Sequence, residues 1–208
     1  MKKTILALTL LAGGALMGAP VTYNAVITTG ISPGTLGFLD FQFANSGVLT
    51  PAGTALISNF TPTAGLNNPV ASGGAIGGGN LTTTLAIANS GGFNDYFVGY
   101  TFPAVITFDV TFSGPLVDNA PPGSGFGSTF GFGMFAADGS TPLGTSDPNG
   151  FLFTFDINTD GTRVLNNFST GGASVRFTST TIPEPGSMLL FSAGLAAITL
   201  FRLKRESN

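Results

Sequence analysis

The sequence predicts an all-β fold: a single β-sandwich, jelly-roll or Greek-key in kind, filling residues 20–181. Apolar and polar residues alternate with period two in several stretches of that interval. Clusters of Gly, Pro, Asn and Ser separate those stretches, drawn from 31 Gly and 13 Pro in 208 residues. Nowhere in the interval do apolar residues repeat convincingly at the helical spacing of about 3.6 residues.

Charge divides the chain into three parts, 1–19, 20–181 and 182–208. Lys occurs only at Lys2, Lys3 and Lys204, and Glu only at Glu184 and Glu206. Between them lie eight Asp and two Arg, Arg163 and Arg176, a formal balance of −6 (two minus eight). The ends therefore answer to different physical demands from the middle.

Residues 1–19 read as a secretory signal peptide. Lys2 and Lys3 form the positive start, an apolar run begins at Thr4, and small residues close it at Gly13, Gly14, Ala15, Gly18 and Ala19. Cleavage after Gly18 is the preferred site and after Ala15 the alternative, because Pro20 disfavours cleavage after Ala19. No Cys stands at the boundary, which excludes a lipoprotein anchor. A retained N-terminal anchor is the competing reading.

The strands follow in order. Val21 to Thr28 supplies the first. Leu39, Phe41 and Phe43 alternate with Asp40 and Gln42 in the next. Leu81, Thr83, Leu85 and Ile87 repeat the pattern, as do Tyr96, Val98, Tyr100 and Phe102. Ala104, Ile106, Phe108, Val110 and Phe112 share one face, with Thr107, Asp109 and Thr111 on the other. Phe130, Phe132 and Met134 mark another strand; Phe151, Phe153, Phe155 and Ile157 mark the one after, and Val175 to Phe177 the last. Nine or ten short strands are expected. Residues 72–80 and 118–127 read as flexible loops between them. Phe, at 20 of the 23 aromatic residues, fills a core without bringing a polar atom that needs a partner.

Residues 182–208 have three parts. Pro183, Glu184 and Pro185 form a stiff, extended peptide, since each Pro fixes φ and restrains its predecessor. An uncharged run from Gly186 to Phe201 follows, slightly short of the roughly 20 residues of a full span, and is expected to form a transmembrane helix. Arg202, Lys204 and Arg205 come next and favour the cytoplasmic side.

This tail resembles the PEP-CTERM sorting signal of Gram-negative bacteria. The resemblance implies recognition by an exosortase, an integral-membrane enzyme with a Cys nucleophile, and transient anchoring in the inner membrane before processing. It implies sorting and carries no activity over to the body. A simple C-terminal anchor on a Pro-rich stalk is the competing reading. The body is similar to other small PEP-CTERM ectodomains that carry a Leu-Asp-Phe-Gln-Phe strand and an Asn-Asp-Tyr-Phe segment, here 39–43 and 94–97.

The residue inventory excludes several chemistries. Without Cys and His there is no disulfide framework, thiol catalysis, Ser-His triad or imidazole metal site. The net charge of −3 argues against nucleic acid as a partner. Asp156, Asn158 and Asp160, followed by Gly161, match the start of a calcium loop, in which alternate oxygens converge on a hard cation. The twelfth position is Asn167 where a bidentate Glu is needed, and the flanks read as strands, so a hairpin with an Asp-Gly turn is the preferred reading. No other cofactor is expected. The Asp residues stand singly and read as solvated or turn-capping groups. A Gly131-Phe132-Gly133 run lacks the helix a dinucleotide site needs. Asn59, Asn80 and Asn167 begin glycan sequons by rule.

The expectation is a non-enzymatic protein, exported through the Sec translocon and processed by an exosortase. It then acts at the cell surface or in the extracellular matrix, structurally or adhesively, in exopolysaccharide or biofilm. A carbohydrate-binding module using exposed Tyr or Phe is the alternative. A glycan hydrolase stands last.

Overall fold

The computed structural model describes residues 20–47, 50–118, 127–159 and 162–181. Residues 1–19, read above as a signal peptide, the tail from Ile182 onward with its apolar stretch, and Asp160 lie outside the described residues. Among the described residues no helix is long and apolar enough to cross a membrane.

Among the described residues eleven strands form two antiparallel sheets. They are β1 (Val21–Thr28), β2 (Leu36–Asn45), β3 (Thr54–Thr61), β4 (Leu66–Ser72), β5 (Thr84–Ala88), β6 (Asp95–Thr101), β7 (Val105–Ser113), β8 (Ser128–Ala136), β9 (Phe151–Ile157), β10 (Arg163–Asn167) and β11 (Ser174–Thr181). A one-turn helix, α1 (Pro115–Asp118), follows β7. One sheet has the order β11-β1-β7-β3-β5 and the other β10-β9-β8-β2-β6-β4. From β1 to β8 each connection crosses from one sheet to the other, as in Greek-key and jelly-roll sandwiches.

The core is a layer of Phe between the sheets. Phe108 and Phe112 project from β7 of the first sheet; Phe41, Phe43, Phe130, Phe132, Phe153 and Phe155 project from the second, and all are buried. Phe108 meets Phe41 at 5.3 Å and Phe132 at 5.4 Å between ring centroids. Phe112 meets Phe155 at 5.6 Å and Phe130 at 5.7 Å, both edge to face. Such tilted pairs set the positive ring edge against the negative ring face, which adds to the area buried.

Two local features depart from the simple alternation. Across β8 and β9, Phe132 pairs with Phe153 but Gly133 pairs with Phe151. This bulge gives β9 one extra residue, so Leu152 turns into the core and Phe151 turns outward. Its ring lies over Gly131, where a Cβ would stand 2.4 Å from Cε1 of Phe151. The Gly-rich segment after β4 is not a free loop. It makes a 3-10 turn at Gly73–Ala75 and then runs along the outer edge of β5. Ala86 donates its N–H to the Gly78 carbonyl at 2.5 Å, and a Cβ on Gly78 would lie 2.0 Å from the Ala86 carbonyl oxygen. The glycines permit this close approach, and the segment covers a sheet edge that would otherwise be open.

Val21 and Thr181 are register partners in β1 and β11, so both ends of the described body leave the same end of the sandwich. The strand ends that open the connections after β2, β4, β5, β7 and β9 lie at that end.

Candidate functional site

The pairing of β2 with β6 brings together the two short segments singled out above. Asp40 lies opposite Phe97, Phe41 opposite Tyr96, and Gln42 opposite Asp95. Phe41 and Tyr96 point into the core; Asp40, Gln42, Asp95 and Phe97 lie on the outer face of the six-stranded sheet.

Asp40 is only 5% exposed on that face, which differs from the solvated Asp expected of a polar strand position. The cause is an aromatic cluster outside the sheet. Phe38 stacks on Phe97 at 4.7 Å with 14° between the planes, and Phe97 meets Phe135 at 6.0 Å. Gly133, the partner of Asp40 on β8, leaves room for the Phe135 ring, which would lie 3.0 Å from a Cβ there. Gln42 Nε2 donates to Asp40 Oδ2 at 2.7 Å. Asp40 Oδ1 is buried with no hydrogen-bond partner. Burial pushes the Asp40 pKa up from 3.8 to about 6; the Gln42 bond opposes this and the nearby Asp95 carboxylate adds to it. Ser72 of β4 donates its hydroxyl to Asp95 Oδ1.

Two other Asp residues sit at a turn and on a polar strand face. Asp138 caps its turn, accepting from the N–H groups of Ser140 and Thr141 and from the Thr141 hydroxyl, and these bonds lower its pKa to about 2. Asp109 accepts from Asn24 and Asn59, each at 2.7 Å, on the outer face of the five-stranded sheet.

The residues of the calcium-loop match lie at the β9–β10 hairpin. Asp156, on the polar face of β9, accepts from Thr129 at 2.7 Å and from Asn166 Nδ2 at 2.8 Å. Asn158 closes the turn with Thr162, its N–H donating to the Thr162 carbonyl and Nδ2 to the hydroxyl, both at 2.9 Å. Asp160 is outside the described residues. Hairpin pairing from Arg163↔Ile157 onward gives both flanks as strands, as the sequence implies. Among the described residues no three acidic side chains gather as a metal centre.

Tyr96 and Tyr100 are buried in the core and unavailable as stacking platforms. Burial raises both phenol pKa values, and Tyr100 donates its hydroxyl to the Pro62 carbonyl at 2.7 Å. Tyr23 is half-buried, its ring 4.5 Å from that of Phe155, and among the described residues the mostly exposed aromatic side chain is Phe93. Phe38 borders a shallow depression with Leu36, Asn67, Asn68 and Ala137.

The comparisons bear on the end of the chain. Residues 181–205 match the family model of the PEP-CTERM protein-sorting motif. Pro183, Glu184, Pro185, Arg202, Lys204 and Arg205 all fall inside the match. No curated protein and no solved structure matches the chain. The chain carries this sorting signal, which implies export, sorting to the cell surface, and an exosortase as processing partner.

Proposed function

We propose that the protein is a non-enzymatic structural or adhesive component of the cell surface or extracellular polymer layer. Sec export delivers it, the tail holds it in the inner membrane, and an exosortase releases it. The observation that carries this reading is the junction at Thr181, the last residue of β11 and the first of the sorting motif. The sandwich runs into the motif without a linker, which supports the body as the cargo that the motif directs. The outer face of the five-stranded sheet supports an adhesive role. Thr22 and Thr111 share a hydrogen bond there at 2.7 Å, beside the Asn24–Asp109–Asn59 group. Hydroxyl, amide and carboxylate groups fixed on a sheet suit a hydroxyl-rich polymer.

Replacing Pro183, Glu184 and Pro185 together by Ala tests the sorting step. An uncleaved, membrane-held chain is expected, and normal release refutes the role of the motif. Deleting the gene is expected to weaken biofilm cohesion; unchanged cohesion removes the matrix role.

A second reading, a carbohydrate-binding module, is favoured by one feature. Half-buried Phe38 adjoins Asn67 and Asn68 at an open depression, setting a ring beside two side-chain amides. A glycan array probed with the released protein tests it, and a blank array removes it.

A further inference from the structure

At the end of the sandwich where the described body begins and ends, two connections carry exposed apolar side chains on uncharged, Gly-rich backbone. Residues 73–79 present Ile76, which is 69% exposed, and residues 89–94 present Phe93, which is 61% exposed. Among the described residues Phe93 is the one aromatic side chain that is mostly exposed. The two connections pack together: Gly74 donates its N–H to Asn94 Oδ1 at 2.5 Å, and a Cβ on Gly73 would stand 2.2 Å from the Phe93 carbonyl oxygen. No charged residue occurs from Gly73 to Asn94, so neither connection carries a charge that must stay in water or that repels anionic headgroups.

The tether fixes where this end must be. Only residues 182–185 separate Thr181 from the uncharged stretch that starts at Gly186. At full extension those five steps span about 17 Å, so a chain held by that stretch keeps this end close to the bilayer. The tether leaves from β11 and the two connections flank β5, at opposite edges of the five-stranded sheet. Four strand spacings of about 4.8 Å put the two points about 19 Å apart.

We propose that, before processing, this end of the sandwich rests on the lipid surface, with Phe93 and Ile76 immersed at the boundary between headgroups and acyl chains. The proposal rests on the reading of 186–201 as the membrane-held part of the sorting signal. Apolar side chains on an uncharged loop enter this boundary because they leave water without carrying a charge with them. The tether alone allows the body to swing; the second contact fixes its tilt and the approach to 183–185.

The chain has no Cys, so single-Cys variants report on single positions. Full-length Phe93→Cys and Ser32→Cys, the latter at the opposite end, are labelled with bimane and reconstituted in phosphatidylcholine–phosphatidylglycerol vesicles. Lipids carrying a doxyl group at acyl carbon 5 are expected to quench the label at 93 at least twofold more than the label at 32. Equal quenching in chains that float with the vesicles overturns the proposal. Shielding at 93 that grows with protein density and ignores doxyl lipid also overturns it, and assigns the patch to a second copy. Chains that do not float with vesicles refute the anchoring reading, and the proposal falls with it.

Discussion

Gln42 Nε2 donates to Asp40 Oδ2 at 2.7 Å, two positions along the same strand, while Asp40 Oδ1 stays buried without a partner. A carboxylate so enclosed resists ionisation, which is why its pKa rises to about 6. Unfolded, the group titrates near 3.8. Between these values the folded state binds more protons than the unfolded state, so this contribution is present below about pH 4 and is lost as pH rises through 6. The loss amounts to at most about 3 kcal/mol. Asp40→Asn is expected to remove that dependence and to gain about 1–3 kcal/mol at pH 7. Denaturant midpoints from pH 4 to 7 check it; parallel curves for the two proteins contradict it.

Asn94 joins three segments through one amide. Its Oδ1 accepts from Gly74 N–H at 2.5 Å and its Nδ2 donates to the Phe43 carbonyl at 2.9 Å. Asn94→Ala takes both bonds away at a buried site and is expected to cost about 2–4 kcal/mol. Urea unfolding measures the change, and a loss below about 0.5 kcal/mol would show that the amide is dispensable.

Gly78→Ala places a methyl group 2.0 Å from the Ala86 carbonyl oxygen. The segment must lift from β5, at an expected cost of about 1–3 kcal/mol. Faster amide exchange at Ala86, whose N–H bonds the Gly78 carbonyl, should accompany it. Gly92→Ala, where nothing lies within 4 Å, is the control and should stay within about 0.5 kcal/mol. Equal behaviour of the two variants would rule out edge contact as the cause.

Phe108 sits at the centre of the aromatic layer, with Phe41, Phe60, Phe132 and Phe153 around it. Phe108→Ala is expected to cost about 3–5 kcal/mol, because no neighbour on a packed sheet can collapse into the space. Phe93→Ala, at an exposed position, should change the stability of the released protein by less than about 0.5 kcal/mol. Thermal unfolding of the two variants side by side decides the contrast.

Asp156 already receives hydrogen bonds from Thr129 and Asn166. Calcium titration is therefore expected to produce no heat and no change in melting temperature, and Asp156→Asn to alter stability equally with and without calcium. Stabilisation by calcium that disappears in Asp156→Asn would restore the cation loop.

Much of the fold was legible because it depends on side-chain period. Ile106, Phe108, Val110 and Phe112 are all buried, as their alternation implies, and so are Tyr96, Val98 and Tyr100. The misreadings share a cause in features that carry no period. β4 runs through Asn67, Asn68 and Pro69, poor strand formers, and forms by pairing with β6 across a bulge. Phe151 reads as a core residue until the extra residue in β9 reverses it. The burial of Asp40 depends on Phe97 and Phe135, distant in sequence, and on Gly133, whose missing side chain makes the room. A partial signal was present: Phe38 shares the outer phase of β2 with Asp40 and Gln42, so that face was never purely polar. The sorting motif at 181–205 was legible because it lies in order and spacing along the chain, independent of tertiary packing.

The eight register pairs between β1 and β11 also set how the body bears load. A pull at Thr181, directed along β11 and resisted by the rest of the body, slides that strand lengthwise past β1. All the rungs between the two strands are then strained together in shear, where a peeling force would break them one after another. A tether that tugs along β11 thus meets the whole β1–β11 ladder at once.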